Sequence, residues 1–147
     1  MVVRPYGDRI RGRVFGLVQA AGFRIATEDV IAEGVPDAEA AARVTARGAL
    51  RLVVPYHGHR SANGEALDGL SFLDHLRRLD AAFPWRVLMP VSRFGASAVE
   101  SARASLDATL SSALLVVPED ELERPTLVAT LAQHFASANA AGSRVGA

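Results

Sequence analysis

Cysteine is absent from this chain, which excludes disulfides, thiolate metal sites and cysteine nucleophiles, and fits a reducing compartment. Lysine is absent as well: all 16 Lys+Arg positions are arginine. Schiff-base chemistry, a lysine general base and the phosphate-binding lysine of a P-loop are therefore impossible. Excess charge is also missing, because 16 acidic residues balance the 16 basic ones to a formal net charge of +0. With no basic stripe on any predicted helix, this balance argues against a nucleic-acid or anionic-membrane binder. No apolar run approaches the roughly 18 residues of a membrane span, and the amino terminus, MVVRPYGDR, lacks a signal-peptide core. A soluble cytoplasmic protein is the expectation. The 147 residues predict one domain, large enough to bury roughly two-thirds of its unfolded surface.

What is present is organised around Leu50 to Ser92. Two short β-branched runs, Leu52–Pro55 and Val87–Met89, read as buried strands. Between them Leu70, Leu73, Leu76, Leu79 and Phe83 recur at three- and four-residue steps, predicting a helix from about Gly69 to Ala82. Such a crossover joins parallel strands and leaves its loops at their carboxyl ends, where α/β proteins build their sites. The loop Tyr56–Leu67 is thus the place to look for function.

The flanking segments repeat the alternation. Met1–Arg4 is a short strand candidate, and Asp8 is a good N-cap for a helix carrying Ile10, Val14, Leu17, Val18 and Ala21. Gly22 is placed to end that helix in the left-handed conformation. A second strand is expected over Phe23–Thr27 and a second helix over Ala38–Ala46, with Ala40, Ala41 and Val44 inward. Farther on, Ala96–Leu110 predicts a helix with Val99, Ala102, Leu106 and Leu110 on one face, and Ala113–Val117 a strand covered on both sides. After the acidic turn Glu119–Arg124, Pro125 fits a first helical turn, and Leu127, Val128, Leu131 and Phe135 line a last helix to about residue 138. The result is an α/β chain of five strands and five helices, with no internal repeat and no linker. It predicts a doubly wound parallel sheet of order 2-1-3-4-5 with helices on both faces. Its switch point brings together Pro5–Asp8, Tyr56–Arg60 and Val117–Asp120.

Several residues there bear on chemistry. His57 and His59, two apart in an extended segment, can point the same way, and Glu65, Asp68 or His75 could supply further metal ligands. No HExxH helix or cysteine cluster supports a metal site, so the two histidines read rather as polar loop residues that bond backbone or water. A triad of Ser61 or Ser92 with His57 and Asp8 can be written down, but neither serine lies in GxSxG. GxGxxG and GxxxxGK are both absent, leaving only the Ser61–Gly64 loop for a nucleotide. No cofactor is expected. His134 reads as a surface or boundary histidine rather than a ligand, Trp85 as a cap on the core, and Glu119–Arg124 as a solvated turn in preference to a docking motif.

The helix Asp8–Phe23 ending in AAGF, the run LDGLSFLDHLRRLDAAFPWRVLMPVS from Leu67, and LLVVPEDELERPTLVATLA from Leu114 together resemble a response-regulator receiver domain. This is the flavodoxin-like module of bacterial two-component signalling. The resemblance implies a receiver-like domain over residues 1–138 with a tail over 139–147. It also implies a pocket formed by Asp8, Tyr56, His57, Ser92, Val117 and Pro118. In most of these places the receiver chemistry is altered. Receivers hold magnesium with an acidic pair after strand one, where this chain has Arg4-Pro5-Tyr6-Gly7 and only Asp8 remains. The phosphoacceptor aspartate would fall at Pro55-Tyr56-His57. The lysine of the receivers' Lys-Pro pair is replaced by Val117 before Pro118, and the hydroxyl residue after strand four corresponds to Ser92 or to Val91. Tyr56 either fills the acceptor pocket or is a plain strand-end aromatic. Phosphoryl transfer needs cations around the transferred group, so a pseudo-receiver that works without phosphorylation is the expectation. The resemblance further implies a dimer or partner surface on the face of helix four, strand five and helix five, within Ser97–Thr109 and Glu119–Gln133. There Ala98, Ser101, Ala104, Ser105 and Ala108 would admit another helix closely. The alternative is a small-molecule or metal-binding enzyme using Tyr56–Gly64.

Overall fold

The structure is a computed structural model that describes residues 2–4, 8–23, 37–46, 52–56, 69–92 and 95–134. Its four described strands are β1 (Val2–Arg4), β2 (Leu52–Pro55), β3 (Arg86–Val91) and β4 (Leu114–Pro118). They form one sheet in the order β1-β2-β3-β4, and every pairing is parallel. The helices are α1 (Asp8–Ala20), α2 (Asp37–Ala46), α3 (Gly69–Leu79), α4 (Gly95–Arg103), α5 (Ala108–Ala113) and α6 over 125–134. This is an α/β architecture with a parallel sheet, as the alternation predicts. The expected second strand falls on 24–27, outside the described residues. Its first residue, Phe23, belongs instead to the end of α1.

Alternation along the strands sorts the core into two layers, because successive side chains leave opposite faces of a strand. Leu52, Val54 and Tyr56 of the β2 segment join Leu88 and Val117 against Val14, Leu17 and Val18 of α1 and Leu131 of α6. Val53, Val87, Met89 and Val91 join the other layer, against Ala40, Ala41 and Val44 of α2 and Phe72, Leu73 and Leu76 of α3. Val99 of α4 and Leu110 of α5 close that side. Helices therefore cover both faces of the sheet. Ala40 and Ala41 of α2 are fully buried, so its weak apolar stripe is the real packing face.

The end of α1 follows the glycine reading closely. Phe23 N–H donates to Val18 O and Gly22 N–H to Gln19 O, each at 3.0 Å, with Gly22 at φ 95°. These are the two bonds of a Schellman cap. Phe23 folds back onto the layer that contains Val18, so the chain reaches Phe23 as a helix cap rather than a strand. At its start, α1 takes Asp8 as its first helical residue, so the helix begins one position earlier than one capped by Asp8 would.

Two helix expectations are corrected. α3 stops at Leu79 instead of Ala82. Asp80 accepts from Ala82 N–H through Oδ1 at 3.0 Å and from Phe83 N–H through its carbonyl at 3.1 Å. That local turn competes successfully with another turn of helix. Phe83 is consequently not a helical stripe residue: it sits at φ 40° with its ring buried, 5.4 Å from Trp85 in an edge-to-face contact. Leu79, counted on the same stripe, is 54% exposed. The predicted helix Ala96–Leu110 is two helices, broken at 104–107. There Asp107 turns extended and caps α5, its Oδ1 accepting from Leu110 N–H at 2.9 Å while Arg77 Nε donates to Oδ2 at 2.7 Å.

The strands shift by smaller amounts. β4 begins at Leu114 because Ala113 is the last residue of α5, and Leu115 and Val116 are only half-buried, since no described strand pairs beyond β4. β3 runs past Met89 through Pro90 to Val91. A proline is tolerated there because the β2–β3 register ends earlier, at Val53↔Val87, so no donor is needed from it on that side. Pro55 and Pro118 likewise close β2 and β4, and the hydrogen-bonded ladder stops at a proline-lined carboxyl edge.

Candidate functional site

That carboxyl edge is where the sequence places the site, and the register shows which positions share it. Val91 pairs with Pro118 and Pro90 with Val117. Extending the β2–β3 pairing puts Tyr56 level with Pro90. Tyr56, Ser92, Val117 and Pro118 therefore end their strands along one rim, and Asp8 opens α1 from the end of β1. His57 and His59 lie outside the described residues, as do Ser61, Glu65 and Asp68. His75 is described, on α3. Among the described residues no three His, Asp or Glu side chains cluster as a metal site would require.

Tyr56 decides what this rim holds. It is 2% exposed, with its ring packed among Val14, Leu17, Val117, Leu122 and Leu131. A buried tyrosine must bring its hydroxyl to an acceptor or leave it desolvated at a cost. The Tyr56 hydroxyl donates to Glu119 Oε2 at 2.7 Å. Glu119 begins the 3-10 turn Glu119–Glu121 directly after β4. The expectation of a merely solvated turn is thereby corrected: its first carboxylate is tied to the core, while Asp120, Glu123 and Arg124 face solvent. Glu119 is the site residue that sequence reasoning missed. Its signal was available, since it is the acidic residue immediately past β4, at the same sheet edge as an aromatic that needs an acceptor.

The remaining rim positions are apolar or buried. Val117 is 3% exposed and Ser92 is fully buried. No described positive side chain occupies the place of the receivers' lysine, because Val117 is part of the core beside Tyr56. Chemically, the described rim offers a packed phenol hydrogen-bonded to a carboxylate, with no described cation available for a transferred phosphate.

Elsewhere, His134 on α6 reaches the far side of the sheet. Its Nε2–H donates to Ala113 O at 2.9 Å. Burial holds its pKa below the usual histidine value, with Arg86 adding to the effect and the bond to Ala113 opposing it. The boundary-histidine reading holds for its exposure, but the ring is a tie between α6 and the α5–β4 junction. Trp85, just before β3, is buried against Phe83. In comparison with known proteins, no family model matches this chain, and neither a curated protein nor a solved structure matches it.

Proposed function

We propose that the protein is a pseudo-receiver: a flavodoxin-like domain, with a five-stranded sheet of order 2-1-3-4-5, that acts in signalling through protein contacts and without phosphorylation. One observation carries this reading. The position where a receiver would present its acceptor carboxylate is taken by Tyr56, whose ring is core and whose hydroxyl is engaged by Glu119. A site filled by a side chain and lacking both acceptor and lysine supports a role in contact rather than catalysis. The partner face in this reading is made by α4, β4 and α6. Support comes from β4, an edge strand of the described sheet, whose Leu115 and Val116 are half-buried, since such an edge is a ready surface for a further chain. The small residues named for close approach do not form one helix face: Ser101 lies on α4, Ala104 and Ser105 in the break, and Ala108 opens α5. No described helix is long and apolar enough to cross a membrane, and the reading places the protein in the cytoplasm with no nucleic acid and no cofactor.

Light scattering across a concentration series tests the contact surface. The expected result is a mass above that of the monomer, reduced by Ser105→Arg, which puts a bulky charge on the exposed break. A wild-type protein that stays strictly monomeric at every concentration contradicts self-association through this face.

A further inference from the structure

We propose that Glu119–Arg124 is a strap, closed in this structure, with Leu122 as its plug and the Tyr56–Glu119 hydrogen bond as its fastening. The proposal rests on local geometry and stands apart from the receiver reading. The strap leaves the sheet at Pro118 and returns as α6 at Pro125, so no ladder holds it. Its backbone bonds are local: Leu122 N–H to Glu119 O at 3.4 Å, Arg124 N–H to Glu121 O at 3.1 Å, and Leu127 N–H of α6 to Arg124 O at 3.0 Å. Of its ion pairs, Arg124–Glu121 lies within the strap, and Arg13 Nε–Glu123 Oε1 at 3.2 Å ends on a carboxylate that is 72% exposed. Exposed pairs of this kind contribute little. Two ties remain. One is the 2.7 Å bond from the Tyr56 hydroxyl to Glu119. The other is Leu122, 2% exposed among Val14, Leu17, Tyr56 and Leu131.

Leu122 also forms a wall of an open groove of about 290 Å³ between α1 and α6, with Gly12, Gly16, Leu17, Pro125 and Val128 among its other lining residues. At Gly12 and Gly16 an added Cβ would meet nothing within 4 Å, so the α1 backbone itself floors the groove. Leu122 thus separates the core from the groove. Lifting the strap joins the slot it leaves to that groove and uncovers apolar surface of Leu17 and Leu131. Because a bond to a carboxylate is worth more than a neutral one, loss of the single Tyr56 hydroxyl biases the strap toward this open form.

Amide hydrogen exchange on the full chain tests the device, because local opening and global unfolding are read at different amides. The Leu122 and Arg124 amides, both bonded inside the strap, report the first. The β3 amides report the second. Tyr56→Phe is expected to speed exchange at Leu122 and Arg124 about tenfold or more, with β3 amides changing by less than about twofold. Glu119→Ala should do the same from the surface side, with less risk to the core. Glu119→Gln, which keeps an acceptor oxygen, should give a smaller increase. Equal acceleration of strap and β3 amides in both Tyr56→Phe and Glu119→Ala would overturn the proposal, as would no change at the strap.

Discussion

At the scale of single residues, equal hydrophobicity does not mean equal contribution. Leu76 and Leu79 lie one turn apart on α3, yet Leu76 is fully buried and Leu79 is 54% exposed. Leu76→Ala should cost about 2–5 kcal/mol, whereas Leu79→Ala should stay within about 0.5 kcal/mol. Urea denaturation of the two variants checks this, and similar losses would contradict the placement of the α3 terminus. Phe83 shows how such a terminus is tolerated. A bulky residue at φ 40° carries strain on the order of 1–3 kcal/mol, and burying the ring returns about 1.5–3 kcal/mol, with the Trp85 contact adding about 0.5–1.5 kcal/mol. Burial wins, so the conformation persists. Two ionisable groups give a sign for pH dependence. His134 has a folded pKa below the ordinary 6.5, chiefly through burial. The unfolded chain then binds more protons, so its contribution is present above 6.5 and is lost as pH falls through the folded value. Asp107 is held below 3.8 by the Leu110 N–H and then by Arg77, so its contribution is present above 3.8 and disappears as pH falls through the folded value. The urea midpoint should fall on acidification below 6.5, and His134→Gln should flatten that limb. An unchanged slope in the variant would show that His134 is not its source.

At the scale of elements, what was legible depended on whether the decisive interaction was local. Strand β2 was read at its observed bounds, Leu52–Pro55, because a short β-branched run ending in proline has few alternatives. Gly22 was likewise readable, since a left-handed cap leaves a glycine signature in the chain. The break between α4 and α5 was not. The stripe Val99, Ala102, Leu106, Leu110 stays helical in period across it, and the choice is made by Asp107, which draws Arg77 from α3, 30 residues away. Apolar periodicity carries no trace of such a partner. Glu119 was hidden for the same reason: the acidic run is ordinary as sequence and acquires its role only when the sheet sets Tyr56 beside it.

At the scale of the whole molecule, a parallel sheet with α1 and α6 on one face and α2 to α5 on the other brings the ends of its strands to one rim. The topology of that rim was foreseeable from the alternation of elements, but its occupancy was not, because only packing decides whether a strand-end tyrosine projects or fills. Tyr56 fills. The proposed pseudo-receiver reading sets a packed phenol where a receiver would handle phosphate, and a titration of the folded protein with beryllofluoride and magnesium, followed by amide NMR, tests it most directly. The amides around Tyr56, Ser92 and Val117 are expected to stay unshifted throughout. A saturable, magnesium-dependent shift at those three positions would contradict the account.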